Sequence, residues 1–451
     1  MELSKIKRVF FVGVGGIGMS ALARYFAKRG QLVCGYDKTR TKLTETLESE
    51  GILITYTDEV SSLPEAFLNP QDDTLVVYTP AIPKDAKVLN HFRDLGFILK
   101  KRSEVLGIIS TGMFCIGIAG THGKTTTSSI VAHILTDTGY GCTAFLGGIA
   151  SNYNSNVLYG TNNVVVVEAD EYDRSFLTLH PDVAVITSMD ADHLDIYGDK
   201  NQLEESFKLY ASQLKAGGKL YVHEGLPLEN STSYAASQTA NAKALNLRVE
   251  GAKFVFDYED DNQNINDISL MLPGKHNVEN TTVAIAIALQ LGIDQEKVKQ
   301  AVANFKGVKR RFEYIVNNES QIYIDDYAHH PEELKACFDA VRQLYPQKKL
   351  TVIFQPHLFS RTRDFANEFA SVLSTADELL LLDIYPAREL PLEGIDAQFL
   401  LNKITLLNKR ILGKDAVIQY VKNEKPELIL TVGAGDIDTI IEQLKNILNN
   451  A

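Results

Sequence analysis

Residues 116–127 begin as an apolar run, break into Gly120-Thr121-His122-Gly123-Lys124-Thr125-Thr126, and pass into a helical pattern. This stretch constrains the chain more than any other. A glycine-rich turn from strand to helix aims backbone N–H groups outward, and the helix N-terminus adds positive potential. Lys124 then offers a point charge to a β- or γ-phosphate, and Thr125 places a hydroxyl where Mg²⁺ can use it. The spacing departs from G-x-x-x-x-G-K-[ST], because the residue five before Gly123 is Ile118 and the loop opens at Gly120. An ordinary turn with a solvated lysine requires no such coincidence of Gly, Gly-Lys and Thr.

A second glycine loop lies near the N-terminus. Residues 9–12 read as a strand, Gly13-Val14-Gly15-Gly16-Ile17-Gly18 follows, and Ala21, Leu22 and Phe26 continue as a helix. That is the order of a G-x-G-x-x-G nucleotide turn. The strand Leu32–Tyr36 ends in Asp37, where an acidic residue meets a ribose hydroxyl in such folds. Strands near Ile52 and at Thr74–Tyr78 lead to Thr79-Pro80-Ala81, so Thr79 and Ala81 are expected to face the ligand of Gly15, Gly16, Ile17 and Gly18. The same glycines argue against a secretory leader. Lys100-Lys101-Arg102 is expected only to close this unit as a solvated basic run.

A chain of 451 residues suggests about three domains. The alternation of strands and helices makes the fold class α/β: a Rossmann-like N-terminal domain over 1–104, a central P-loop ATPase-type parallel sheet over 105–308, and a C-terminal Rossmann-like domain over 309–451. A net charge of -12 argues against nucleic acid or an anionic membrane as partner. No run suits membrane insertion, and no feature fixes an oligomeric state. Cys34, Cys115, Cys142 and Cys337 have no metal or disulfide spacing, which suits reduced thiols in a cytoplasm.

In the central part, the four valines of 163–167 read as a strand buried on both faces, with Glu168 just beyond it. A strand at 183–187 leads to Asp192-His193, and His193 reads either as a loop histidine or as a partner of Thr125 and Glu168 around magnesium. Residues 224–264 are polar and poorly periodic. Asn280 is expected to cap or begin the next helix, and Asn277 reads either as structural or as a contact to an adenine edge. Arg310-Arg311 suits a triphosphate, in an acidic protein, as well as it suits a linker. The last third gives strands at 321–324, Leu350–Phe354, 378–384 and Leu428–Val432, with Asp325-Asp326-Tyr327-Ala328-His329-His330 read as a loop and Arg361-Thr362-Arg363 at a helix start.

The set of motifs resembles the Mur ligases of bacterial peptidoglycan synthesis, over residues 9–436. Gly120 to Thr126, Glu168-Ala169-Asp170-Glu171, Asp192-His193, His276-Asn277 with Asn280, and Arg310-Arg311-Phe312 carry the family likeness. Asp325-Asp326-Tyr327, His329-His330-Pro331, Gln355-Pro356-His357 and Arg361-Thr362-Arg363-Asp364 resemble the alanine-adding branch, although Leu358 stands where that branch often has a basic residue. The resemblance implies that UDP-N-acetylmuramate and L-alanine are joined at the expense of ATP, with Mg²⁺. It implies that Gly120, Thr121, His122, Gly123, Lys124, Thr125, Thr126, Asn277, Arg310, Arg311 and Asp326 meet ATP, that Thr125, Glu168 and His193 hold Mg²⁺, and that His329, His330, Arg361 and Arg363 position alanine. The lysine that some sister ligases carbamylate is replaced by Phe207 in this register, so no such modification is expected. Closure of the domains is expected, with hinges near residues 102–107 and 307–311. A murein-tripeptide ligase would share most of these motifs. A dinucleotide-dependent oxidoreductase would explain only the first glycine loop and Asp37.

Overall fold

The computed structural model describes residues 2–190, 197, 199–251, 253–318, 320–387 and 389–449. β1 (Arg8–Val12), β2 (Leu32–Tyr36), β3 (Leu53–Thr55), β4 (Thr74–Tyr78) and β5 (Ile98–Lys101) form a parallel sheet in the order β3-β2-β1-β4-β5. Val9, Phe10, Phe11, Leu75, Val76 and Val77 are fully buried, as expected where helices cover both faces of a parallel sheet. The strand order reverses between β1 and β4, so the loops after Val12 and Tyr78 open into one crevice at the carboxyl edge.

The central sheet contains β6 (Phe114–Ala119), β7 (Thr143–Ala150), β8 (Ser155–Leu158), β9 (Val164–Glu168), β10 (Val183–Ile186), β11 (Lys219–His223), β12 (Thr232–Ala235), β13 (Ala242–Glu250), β14 (Lys253–Glu259) and β15 (Asn264–Leu270). Their order is β15-β14-β13-β12-β11-β10-β6-β9-β7-β8, with β7 and β8 antiparallel and every pair from β13 across to β7 parallel. Two expectations change here. Glu168 is the last residue of β9 rather than the first beyond it. The stretch 224–264, which lacked a clear period, supplies β12, β13 and β14. Its strands bury alternate residues against the core and leave polar ones between them: Phe256 and Tyr258 are buried, while Asp257 and Glu259 are half-buried. Asn280 is also reassigned, since the helix already begins at Lys275 and runs to Gln290.

β16 (Glu313–Asn317), β17 (Ile322–Asp326), β18 (Leu350–Phe354), β19 (Glu378–Leu381), β20 (Lys409–Ile411) and β21 (Leu428–Val432) form the third sheet, ordered β16-β17-β21-β18-β19-β20. Only the β16 and β17 pair is antiparallel. Asp325 and Asp326, read from sequence as loop, end β17. No helix among the described residues is long and apolar enough to cross a membrane. Phe207 is fully buried, with its ring 5.3 Å from Phe176.

The chain divides into two compact units, one of Met1–Leu247, Val255–Ser269 and Glu279–Lys306, the other of Arg248–Phe254, Leu270–Val278 and Gly307–Ala451. The N-terminal and central sheets therefore share a unit. Buried Arg24 donates to both carboxylate oxygens of Glu50, at 2.7 and 2.9 Å, and to Asn156 Oδ1 at 2.5 Å. Asn156 Nδ2 returns to Ile17 O at 2.6 Å and Ser20 Oγ at 2.9 Å, fastening the central hairpin to the first helix. The hinge expected at residues 102–107 gives way for the same reason. This segment lies in the helix Arg102–Thr111, Thr178 Oγ1 donates to Ser103 O at 2.9 Å, and a Cβ on Gly107 would lie 2.6 Å from the Thr178 carbonyl oxygen.

Candidate active site

The loop after β6 needs glycine at both ends. Gly120 has φ +135°, and a Cβ there would lie 2.1 Å from Thr187 Oγ1 and 2.8 Å from Ser188 N. Gly123, at φ +82°, begins the helix Lys124–Asp137, and its Cβ would approach Asn280 Oδ1 at 3.0 Å. Asn280 thus crowds the phosphate loop from mid-helix instead of capping its own. Ser188 Oγ accepts from His122 N at 2.7 Å and bonds Thr121 Oγ1 at 2.9 Å, which stiffens the loop from the neighbouring strand end.

Lys124 folds back over this loop. Its ammonium donates to Gly120 O at 2.6 Å and pairs with Glu171 Oε2 at 2.8 Å. Burial works against the charge, yet the carboxylates of Glu171, Asp170 and Glu168 hold the Lys124 pKa above its ordinary value. The lysine is therefore held as a cation. Thr125 Oγ1 donates to Glu168 Oε1 at 3.1 Å, while Glu168 Oε2 accepts from Gly147 N at 3.0 Å. A Cβ on Gly147 would lie 2.2 Å from that carboxylate. Among the described residues no group of three or more His, Cys, Asp or Glu forms a metal cluster. A hydroxyl beside one carboxylate still fits Mg²⁺, which takes oxygen donors and keeps several waters. His193, with Asp192, lies outside the described residues.

At the other glycine loop, Gly16 N-caps the helix Ile17–Lys28 and Gly13 takes φ +89°. A Cβ on Gly13 would lie 3.1 Å from Thr79 Cγ2, and Ala81 N approaches Thr79 Oγ1 at 3.5 Å. Gly15, Gly16, Ile17, Gly18, Asp37, Thr79 and Ala81 thus gather at one sheet edge. Asp37, expected to meet a ribose, spends part of its carboxylate on the turn itself, accepting from Gly15 N at 2.8 Å and Thr39 N at 3.1 Å. The basic run 100–102 is no solvated cluster. Lys100 pairs with Glu104 at 3.1 Å, Lys101 with Asp173 at 3.0 Å and Arg102 with Asp170 at 3.0 Å. Ile17, Gly18, Arg102, Gly147, Glu168 and Asp170 contribute to one cavity that joins the first glycine loop to the Thr125–Glu168 pair.

In the second unit, Arg310 is committed to structure: Nε donates to Asp325 Oδ2 at 3.0 Å and Nη2 to Gly433 O at 2.7 Å. Asp325 is fully buried, and burial pushes its pKa up to about 7 against the pull of Arg310. Arg310 and Arg311 each lie 5.2 Å from the Tyr327 ring centroid. Asp326 accepts from Phe312 N and Ala328 N, both at 2.7 Å, and burial raises its pKa too. Asn277 Nδ2 donates to Pro273 O at 2.7 Å. His329 is driven down to about 4 by burial, so it is neutral at neutral pH, with Nδ1 3.0 Å from Tyr327 O. His330 caps the helix Pro331–Leu344 and packs on Phe365 at 4.7 Å. Arg361 and Arg363 lie on the six-residue helix Phe359–Asp364, where the sequence placed a helix start. Burial separates them: Arg361 is close enough to His329 to depress its pKa, whereas Arg363 is half-exposed and bonded to its neighbour Asp364 at 2.7 Å. Leu358, the departure from the alanine-adding pattern, takes φ +70° with its N–H on Tyr385 O at 2.9 Å.

Sequence reasoning gave no ligand contact to Gly147, Glu171, Arg102 or Asp170. The Glu168-Ala169-Asp170-Glu171 run and the unbroken basic triplet were the available signals, but their partners lie 47 residues away for Lys124–Glu171 and 68 for Arg102–Asp170.

Three family models divide the chain: the Mur ligase family catalytic domain at residues 8–112, the Mur ligase middle domain at 118–288, and the Mur ligase glutamate ligase domain at 310–435. The UDP-N-acetylmuramate--L-alanine ligase of Christiangramia forsetii is 49% identical over 447 residues, covering 99% of both chains. Its namesake in Flavobacterium psychrophilum is 49% identical over 449 residues and 100% of both. Among solved structures, the UDP-N-acetylmuramate-alanine ligase of Thermotoga maritima superposes with a TM-score of 0.83 at 25% identity, covering 98% of each chain. A murein peptide ligase from Psychrobacter arcticus reaches 0.71 at 22% identity over 99% of each, a likeness of fold alone. With two glycine loops at the ends of parallel strands, three consecutive family domains and relatives alike from end to end, the chain belongs to the Mur ligase family.

Proposed function

We propose that the protein joins L-alanine to the lactyl carboxylate of UDP-N-acetylmuramate, with ATP as the energy source. One observation carries the reading: a single cavity runs from the glycine loop at Ile17 and Gly18 to Glu168, the carboxylate bonded to Thr125. A sugar nucleotide anchored by its diphosphate at the helix N-terminus can thus send its acid group toward the triphosphate loop. The full-length relatives named for this reaction support the same substrates.

A carboxylate oxygen attacks the γ-phosphorus, the bond to ADP breaks, and an acyl phosphate forms. The alanine amine then attacks the acyl carbon, inorganic phosphate departs, and the amine loses its proton. Lys124 stabilises charge on the transferring phosphoryl group, and the N–H groups of the Gly120–Gly123 turn hold the phosphates. Thr125, Glu168 and, by resemblance, His193 would hold Mg²⁺, which when bound neutralises repulsion between the two anionic substrates. The neutral His329 offers a hydrogen bond rather than a charge, which leaves recognition of the alanine carboxylate to Arg361.

Phosphate release measured with UDP-N-acetylmuramate, ATP and a panel of amino donors tests the assignment. L-alanine should support turnover far above a murein tripeptide; the reverse preference would identify a peptide ligase instead. In the same assay, Arg361→Ala is expected to raise KM for alanine by about tenfold or more while KM for ATP changes little, as for loss of a charge-assisted contact. Arg363→Ala should move it less, because Arg363 is spent on Asp364. Equal effects of Arg361→Ala on both substrates would remove it from the alanine site.

A further inference from the structure

We infer that Arg102 receives the lactyl carboxylate of the sugar nucleotide, with Asp170 holding the guanidinium in place until that carboxylate arrives; the inference rests on the function proposed above. Among the described residues, Arg102 is the one basic residue lining the cavity between the glycine loop and Glu168. The rest of the wall is apolar, through Leu22, Leu106, Phe145 and Leu146 among others, or acidic, through Glu168 and Asp170. A carboxylate in this cavity meets both acids. Lys124 does not line this cavity, and its ammonium is engaged by Gly120 O and Glu171. Arg102 remains.

The geometry of Arg102 suits this role. Its Nη2 donates to Asp170 Oδ2 at 3.0 Å, and the guanidinium lies against Gly18, where a Cβ would sit 2.5 Å from Nη1. The absence of a side chain at Gly18 therefore makes room for the guanidinium as well as for the nucleotide. Asp170 is itself fixed, since Oδ1 accepts from Tyr172 N at 3.0 Å, so the guanidinium is oriented at rest. The pair is also replaceable: the Asp170 side chain is 36% exposed, and water can take over its oxygen when the guanidinium turns to a second carboxylate. A planar fork that already binds one carboxylate matches another of the same shape. The ligand that distinguishes this reading is a sugar nucleotide lacking the lactyl group, which keeps the diphosphate and loses the acid.

Titration calorimetry on the full-length protein without ATP, using UDP-N-acetylmuramate and UDP-N-acetylglucosamine in parallel, tests the assignment. Arg102→Ala is expected to weaken UDP-N-acetylmuramate by about tenfold or more while UDP-N-acetylglucosamine changes less than about twofold. Asp170→Asn should leave UDP-N-acetylmuramate binding equal or tighter, because a competitor for the guanidinium is gone. Equal losses for both nucleotides in Arg102→Ala would assign the residue to the diphosphate and overturn the inference, as would no loss for either. If a thermal melt shows Arg102→Ala unfolded, Arg102→Lys decides: it must lose affinity for UDP-N-acetylmuramate alone, and loss for both or neither overturns the inference. Failure of the parent protein to bind UDP-N-acetylmuramate would instead bring down the proposed function, and this inference with it.

Discussion

Lys124→Ala should cut turnover by about 10² or more while UDP-N-acetylmuramate still binds, because the missing ammonium acts on the transferring phosphoryl group and not on the sugar nucleotide. The same substitution carries a structural cost. Glu171 is 1% exposed and keeps Lys124 as its cation at 2.8 Å; stripping one partner from such a pair typically costs about 3–5 kcal/mol. A single variant therefore mixes two effects. Adding Glu171→Gln removes the carboxylate charge that Lys124 balanced, and the double variant should recover much of the parent melting temperature without recovering turnover. Turnover restored along with stability would mean that Lys124 serves the fold and not the phosphate.

Arg310→Met should act the other way, through stability. Sequence suggested a triphosphate contact, yet the guanidinium bonds fully buried Asp325 and the Gly433 carbonyl. Removing it leaves Asp325 in the interior beside the Thr431 hydroxyl, which donates to Oδ1 at 2.6 Å. The loss is expected to be largest above about pH 7, where Asp325 is ionised in the parent. Asp325 already has a folded pKa near 7, above its ordinary 3.8. The folded state thus binds the proton more tightly than the unfolded chain, and stability falls as pH rises across the window from about 4 to 7. Without Arg310 the folded pKa rises further, so the variant's deficit against the parent should shrink on acidification from pH 8 to pH 5. Thermal melts at those two pH values give the check. A deficit of the same size at both would show that the Asp325 charge is not what the arginine protects.

The glycine turn between β6 and the helix Lys124–Asp137 was legible because its signal is local. Glycine, lysine and threonine lie within seven consecutive residues, and the mechanism demands that order. The strand ends were legible for a related reason, since short runs of valine, isoleucine and leucine stop where polar residues begin. What stayed hidden depends on partners remote in sequence. Nothing near Asp37 announces that its carboxylate closes on Gly15, and nothing near Arg310 names Asp325 as its buried partner. Asn280 invites a cap reading because helix-start residues look alike, and only packing against Gly123 reveals its position. The outer strands of the central sheet were lost because Lys243, Asp257 and Asn264 dilute the apolar alternation that would have marked them.

The buried fastening of Arg24, Glu50, Asn156 and Ile17 has a consequence for selectivity. It belongs to the same compact unit as both glycine loops, so on the function proposed above the span from one loop to the other is set before any substrate binds. Such a body works as a caliper. With the diphosphate seated at one jaw, only a molecule whose acid extends the right length reaches the other. A nucleotide sugar without the lactyl arm falls short of the phosphate loop however firmly its uridine end is held, and discrimination by length then needs no contact with the part that is missing.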